Sequence, residues 1–161
     1  TMGPALSVLL AILLLTGCAA APEQPKTLRQ ALLGLGERAA ESITATPPLP
    51  RTATDQVLLL ARPQVDRRLG LSDERVLESL TRALLAVSDG PQVLEWRSAM
   101  AEGGGDNQWH LESRLEADGP RLQLSDRELL PYRLSLELRR AGSDAAEWRS
   151  DISGALDATA L

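Results

Sequence analysis

Residues whose chemistry could carry a reaction are few in this chain and do not cluster. There is one cysteine, Cys18, and one histidine, His110. A zinc centre needs three or four nitrogen or sulfur ligands, and no second imidazole or thiolate exists to complete one. A Ser-His-Asp arrangement would have to form around His110, yet no serine lies in a Gly-x-Ser-x-Gly turn that would expose it as a nucleophile. In Trp109-His110-Leu111-Glu112 the histidine falls on the face opposite the apolar residues, which predicts a solvated side chain on a strand. Glu112 and Glu116 are spaced as the solvated face of a strand requires. Gly103-Gly104-Gly105 is not followed by Lys-Ser or Lys-Thr, so it reads as a flexible loop and not as a phosphate cradle. The sequence thus offers no catalytic residue, metal site or cofactor site, and the expectation is a protein that is not an enzyme.

Three features remain. Cys18 follows the uncharged run from Ala5 to Leu15 and then Thr16-Gly17. As a helix, that run would cover roughly 17 Å of a hydrocarbon core about 30 Å thick, too little for a comfortable span. With Met2 read as the start, residues 1–17 are expected to be a signal peptide. Leu15-Thr16-Gly17-Cys18 resembles a bacterial lipobox, which makes Cys18 the expected site of lipid attachment. Buried acyl methylenes contribute ~0.8 kcal/mol each, so a multiply acylated cysteine holds its chain on a membrane. The second feature is the segment from Arg62 to Gly70. Its Arg62, Asp66, Arg67 and Arg68 could pair with carboxylates on a protein partner, or could be ordinary loop charges. The third is the set of three tryptophans in a chain with one Tyr and no Phe, readable as core or as interface anchors. A formal net charge of -5 disfavours nucleic acid as a partner, and nothing suggests a small-molecule substrate.

Elements must exist to position these residues. Residues 19–25 hold little that can be buried and read as a tether. Leu28, Leu32, Leu35, Ala39 and Ile43 recur at helical spacing after a capping-box pattern at Thr27, predicting an amphipathic helix over 28–43. That helix could dock on its own domain, form a stalk, or meet a partner. Pro47-Pro48-Leu49-Pro50 predicts an extended linker over 44–54, and the compact domain is expected to span 55–161. Gln56-Val57-Leu58-Leu59-Leu60-Ala61 reads as a central strand covered on both faces. Ser72 caps a helix expected over 73–88, with Val76, Leu80, Ala83, Leu84 and Val87 on one stripe and Asp89-Gly90-Pro91 stopping it. Alternating segments around Leu94 and Trp96, Trp109 to Leu115, Leu122 and Leu124, Tyr132 to Leu138, and Trp148 to Ile152 read as half-buried antiparallel strands. The predicted class is α+β: a β-α-β start followed by antiparallel hairpins, in one sheet with helices packed on one face.

Taken together, the lipobox, the Pro-containing tether, Gln56-Val57-Leu58-Leu59-Leu60, the polar loop closed by Gly70, Thr81-Arg82-Ala83-Leu84-Leu85 and Gln92-Val93-Leu94 resemble the LpoB family of penicillin-binding-protein activators. Tyr132-Arg133-Leu134-Ser135-Leu136-Glu137-Leu138 and Ala146-Glu147-Trp148-Arg149-Ser150 are similar to that family's closing hairpin. The chain departs from the family in having a short glycine-rich stretch, Ala99 to Gln108, where a second helix is usual, and Val65-Asp66-Arg67-Arg68 where Asn and Thr are usual. The resemblance implies an outer-membrane lipoprotein, facing the periplasm, that binds and activates a bifunctional peptidoglycan synthase. Ala19 after the cysteine, and not Asp, fits outer-membrane retention by the sorting rule of enteric bacteria. A structural role resembling that of the LptE type, small α+β lipoproteins that plug a lipopolysaccharide-exporting barrel, is the alternative; the Gly-Phe-x-Leu segment usual there after the cysteine is missing here.

Overall fold

The computed structural model describes residues 28–50, 52–100 and 105–158. The expected signal peptide, Cys18 and the segment after it lie outside the described residues.

The described chain runs α1 (Leu28–Thr44), β1 (Val57–Leu60), β2 (Gln64–Val65), α2 (Asp73–Leu85), β3 (Gln92–Glu95), β4 (Gln108–Ala117), β5 (Leu122–Gln123), β6 (Glu128–Arg140) and β7 (Ala146–Asp157). All seven strands belong to one mixed sheet in the order β3-β1-β4-β6-β5, with β2 beside β4 and β7 beside β6. The α+β reading holds. β1 runs parallel to both β3 and β4, with α2 as the crossover to β3, because parallel neighbours cannot be joined by a tight turn. β4, β6 and β7 are successive antiparallel neighbours.

Sequence alternation decides which face is buried. Trp109, Leu111 and Leu115 of β4, Leu130 to Leu138 at every second residue of β6, and Leu156 of β7 enter one core with Leu58 and Leu60 of β1. The two helices cover that face: α2 supplies Val76, Leu77, Leu80, Ala83 and Leu84, and α1 supplies Leu32, Leu35, Ala39, Ala40 and Ile43. Ser72 Oγ accepts from the backbone N–H of Arg75, capping α2 as expected. The helix ends at Leu85 and not at 88, since Val87 and Gly90 are already in turn hydrogen bonds.

The domain start differs from the expectation at Asp55. α1 is part of the same core, and the described residues of 45–54 are folded rather than an extended linker. Thr46, Leu49 and Ala53 are buried, Leu49 N–H donates to Thr46 O at 3.2 Å and Ala53 N–H to Asp89 O at 3.0 Å. The prolines rule out helix but not a compact turn, and apolar Leu49 gives that turn something to bury. Gly36 is where α1 and α2 meet most closely: a Cβ there would lie 2.7 Å from the carbonyl oxygen and from Oγ of Ser79. Ser79 Oγ donates to Leu32 O across the same contact.

Candidate partner-binding site

The segment carrying Arg62, Asp66, Arg67 and Arg68 is a loop tied to the sheet by one short strand and closed by a 3₁₀ turn. Gln64 and Val65 pair in parallel with Arg114 and Leu115 of β4, after Ala61 N–H has donated to Leu111 O at 2.9 Å. A short 3₁₀ turn follows, Arg67–Leu69, closed by Gly70 at φ 67°, a left-handed position suited to glycine. Leu69 is 1% exposed and anchors the turn in the core.

Asp66 holds this turn together. It accepts from the backbone N–H of Arg68 at 3.0 Å and of Ala117 at 3.2 Å, and its other contacts are with the Arg68 guanidinium, Nη2 lying 2.7 Å from Oδ2. The Arg68 guanidinium and these backbone donors hold the Asp66 carboxyl well below the usual carboxylate range, and the Arg68 guanidinium is raised in turn. Arg62 pairs elsewhere, with Asp73 in the first turn of α2 at 3.2 Å. Of the four charges read from the sequence, Asp66 and Arg68 pair with each other at the end of β4, Arg62 pairs with Asp73 on α2, and Arg67 is exposed.

The helix layer carries a surface that sequence reading missed. A depression of about 610 Å³ between α1 and α2 is lined by Arg29, Leu32, Leu33, Arg75, Glu78 and Arg82. A second lies on the other side of α2, where Arg62, Thr81 and Leu85 meet Glu95 of β3. Leu33 is 42% and Leu85 60% exposed. The missed signal was the pairing of arginines with leucines just outside each helix's apolar stripe, readable only once the two helices are known to lie side by side.

On the opposite sheet face the side chains are charged and cross-linked. Glu112 meets Arg139 at 3.4 Å, Arg133 meets Asp118 at 3.2 Å, Arg149 meets Glu137 at 2.9 Å, and Ser135 Oγ donates to Asp151 at 2.6 Å. His110 is the exception to this solvated face. The alternation placed it correctly opposite the core, but it is buried, not solvated, because Trp96 lies edge-on against it with ring centroids 5.3 Å apart. Leu59, its register partner on β1, is buried beside it. Burial, with Arg139 next, pushes the imidazole below its ordinary value while Glu112 opposes. Neither ring nitrogen has a hydrogen-bond partner among the described residues. The tryptophans thus divide: Trp109 is in the core with Nε1 donating to Gln56 Oε1 at 2.9 Å and Arg140 stacked 4.4 Å above its ring, Trp148 flanks the core, and Trp96 covers His110. No grouping of three or more His, Cys, Asp or Glu suited to a metal occurs among the described residues.

No family model matches the chain, and no curated protein does. Among solved structures, it is similar to lipoprotein GNA1162 from Neisseria meningitidis, with 11% identity, a TM-score of 0.43, and coverage of 65% of this chain and 85% of that one. It is also similar to protein XCC0632 from Xanthomonas campestris, with 13% identity, a TM-score of 0.45, and 70% and 71% coverage. A neuraminyllactose-binding hemagglutinin homologue from Helicobacter pylori matches at 10% identity and a TM-score of 0.34, over 64% of this chain and 66% of that one.

Proposed function

We propose that this chain is a lipid-anchored periplasmic protein, held at the outer membrane through Cys18, that binds a bifunctional peptidoglycan synthase and raises its activity. The reading rests on the sequence resemblance. What supports it in the fold is the order of elements: a β1-α2-β3 unit and a closing β6-β7 hairpin with Glu147-Trp148 in its last strand stand where the resembling residues required them. An activator needs no reacting group of its own. It acts by binding the active conformation of its partner more tightly than the inactive one.

Within this reading, Arg67 is the residue of the 62–68 segment left to engage a partner, since Arg62 and Arg68 are held by Asp73 and Asp66. The experiment is polymerisation of labelled lipid II by a bifunctional synthase of the same organism, with and without this protein. Stimulation is expected, with no turnover of peptidoglycan by the protein alone. Arg67→Glu should weaken stimulation severalfold without changing the melt, by setting like charge against a carboxylate-bearing surface. No rate change at saturating protein would end the activator reading in favour of an assembly role. Stimulation unaffected by Arg67→Glu would remove only the choice of surface.

A further inference from the structure

Among the described residues, β7 is the outermost strand on its side of the sheet, and its twelve residues, Ala146–Asp157, make it one of the longest. Long edges are normally blunted by charged side chains, Lys above all, by Pro, by bulges, by shortness or by a covering helix. β3, the opposite edge, has four residues, whereas Ala146–Asp157 contains neither Lys nor Pro.

The hydrogen-bond parity of the sheet fixes which peptide groups of β7 face outward. Across the β4–β6 ladder, Asp118 N–H donates to Pro131 O at 2.9 Å and Ala141 N–H to Gln108 O at 3.0 Å. Odd-numbered residues of β6 therefore aim their peptide groups at β4, and even-numbered ones at β7, where Leu136 faces Ser150 and Leu134 faces Ile152. In β7 it follows that Arg149, Asp151 and Ser153 turn N–H and C=O away from β6. Arg38 Nη2 donates to Ser153 O at 2.6 Å, in agreement with that orientation. A groove between α1 and this edge, lined by Arg38, Glu41, Ser42 and residues 151–153, runs along it.

We propose that β7 pairs antiparallel with β7 of a second copy of this chain, about a two-fold axis at Ser150, joining two sheets into one. Self-complementarity selects the occupant and the register. With the axis at Ser150, Arg149, an exposed side chain that pairs with Glu137 of its own chain and would be shared across the interface, lies opposite Asp151 of the second copy, and Asp151, which accepts from Ser135 Oγ, opposite its Arg149. These are the residues whose peptide groups face outward, so each charge pair is also a pair exchanging two backbone hydrogen bonds. On the helix-bearing face, Trp148 meets Ile152. Moving the axis by one residue to Arg149 or Asp151 would put like charges opposite each other, which is destabilising. A C2 interface requires this kind of self-matching patch.

The test is sedimentation velocity of the full chain in detergent over a concentration series. A monomer–dimer equilibrium is expected. Arg149→Asp should weaken it at least about tenfold, because each charge pair becomes a repulsion. Combining Arg149→Asp with Asp151→Arg should restore it, a recovery that misfolding could not produce. Ser153→Pro should also weaken dimerisation while leaving the melt in place, since the N–H it removes does not pair with β6. A monomer at the highest soluble concentration would overturn the proposal and leave the edge for a strand of another protein. A dimer indifferent to these substitutions, or one the charge exchange fails to restore, would overturn it as well.

Discussion

His110 carries the main pH sensitivity that the described residues offer in the mildly acidic range. Its ring lies under Trp96 with no hydrogen-bond partner among those residues, and burial favours its neutral form. A folded-state value below the unfolded one means the unfolded chain binds the proton more readily. Stability is then full above the unfolded value of about 6.5 and is lost as pH falls from there toward the folded value. Melting temperatures at pH 7.5 and 5.5 should show a drop on acidification that His110→Gln reduces or abolishes; an equal drop in both proteins would place the sensitivity elsewhere. Asp66 acts in a lower range. Its depressed carboxyl contributes stability that is present above the ordinary Asp value and lost only in strong acid. Sequence alternation found the face on which His110 lies but not its burial, because the covering residue, Trp96, arrives from the β3–β4 connection and no periodicity within β4 reports it.

At the scale of elements, the contact between α1 and α2 is the weak point and the specification at once. Gly36 lowers the helix propensity of α1 by up to about 1 kcal/mol relative to Ala, and its missing side chain lets Ser79 approach. Gly36→Ala should therefore not stabilise: the added methyl meets backbone as well as side chain, and the helices must part, at about 1 to 3 kcal/mol. Leu80→Ala, at a position 1% exposed in the middle of α2, should cost about 2 to 5 kcal/mol through lost burial and the cavity left behind. Chemical denaturation of both variants checks these figures. The periodicity of both helices was legible in sequence, down to the Ser72 cap and the Leu32-Leu35-Ala39 stripe. The partner of α1 was not, because an apolar stripe says that something is buried and not against what. The pairing of Gln64 and Val65 with β4 was not legible for the complementary reason: the polar residues around them read as a loop, and the pairing depends on residues about fifty positions away.

Considered as a whole molecule, the described chain is one core to which both its ends contribute. Leu32 and Ile43 share a cluster with Leu130, Leu138 and Leu156, so a chain beginning at Asp55 would leave open to water the part of the core that α1 covers. Such a truncation should lose the cooperative melt and sharp near-UV signal of the intact protein; a cooperative melt would restore α1 to the role of a separable stalk. Fold class came through from the sequence because alternation and turn residues are local, but the directions of β3 and β4, read as antiparallel and found parallel to β1, did not. The extent of the domain did not, since it depends on contacts between residues 28–53 and the rest.

The Arg38 to Ser153 bond joins positions 115 residues apart, and Ser42 to Ser150 joins 108. α1, early in the chain, therefore gains these contacts only once β7 is in place. Order of appearance and order of assembly are opposed: loop-closure entropy must be met across nearly the full chain before these contacts contribute, which favours slow acquisition of the native state. On the proposed reading of a lipid-anchored periplasmic protein, that delay is useful: α1 cannot take its final place against β7 until β7 itself has been delivered, so the topology favours an unfolded chain while it is being exported.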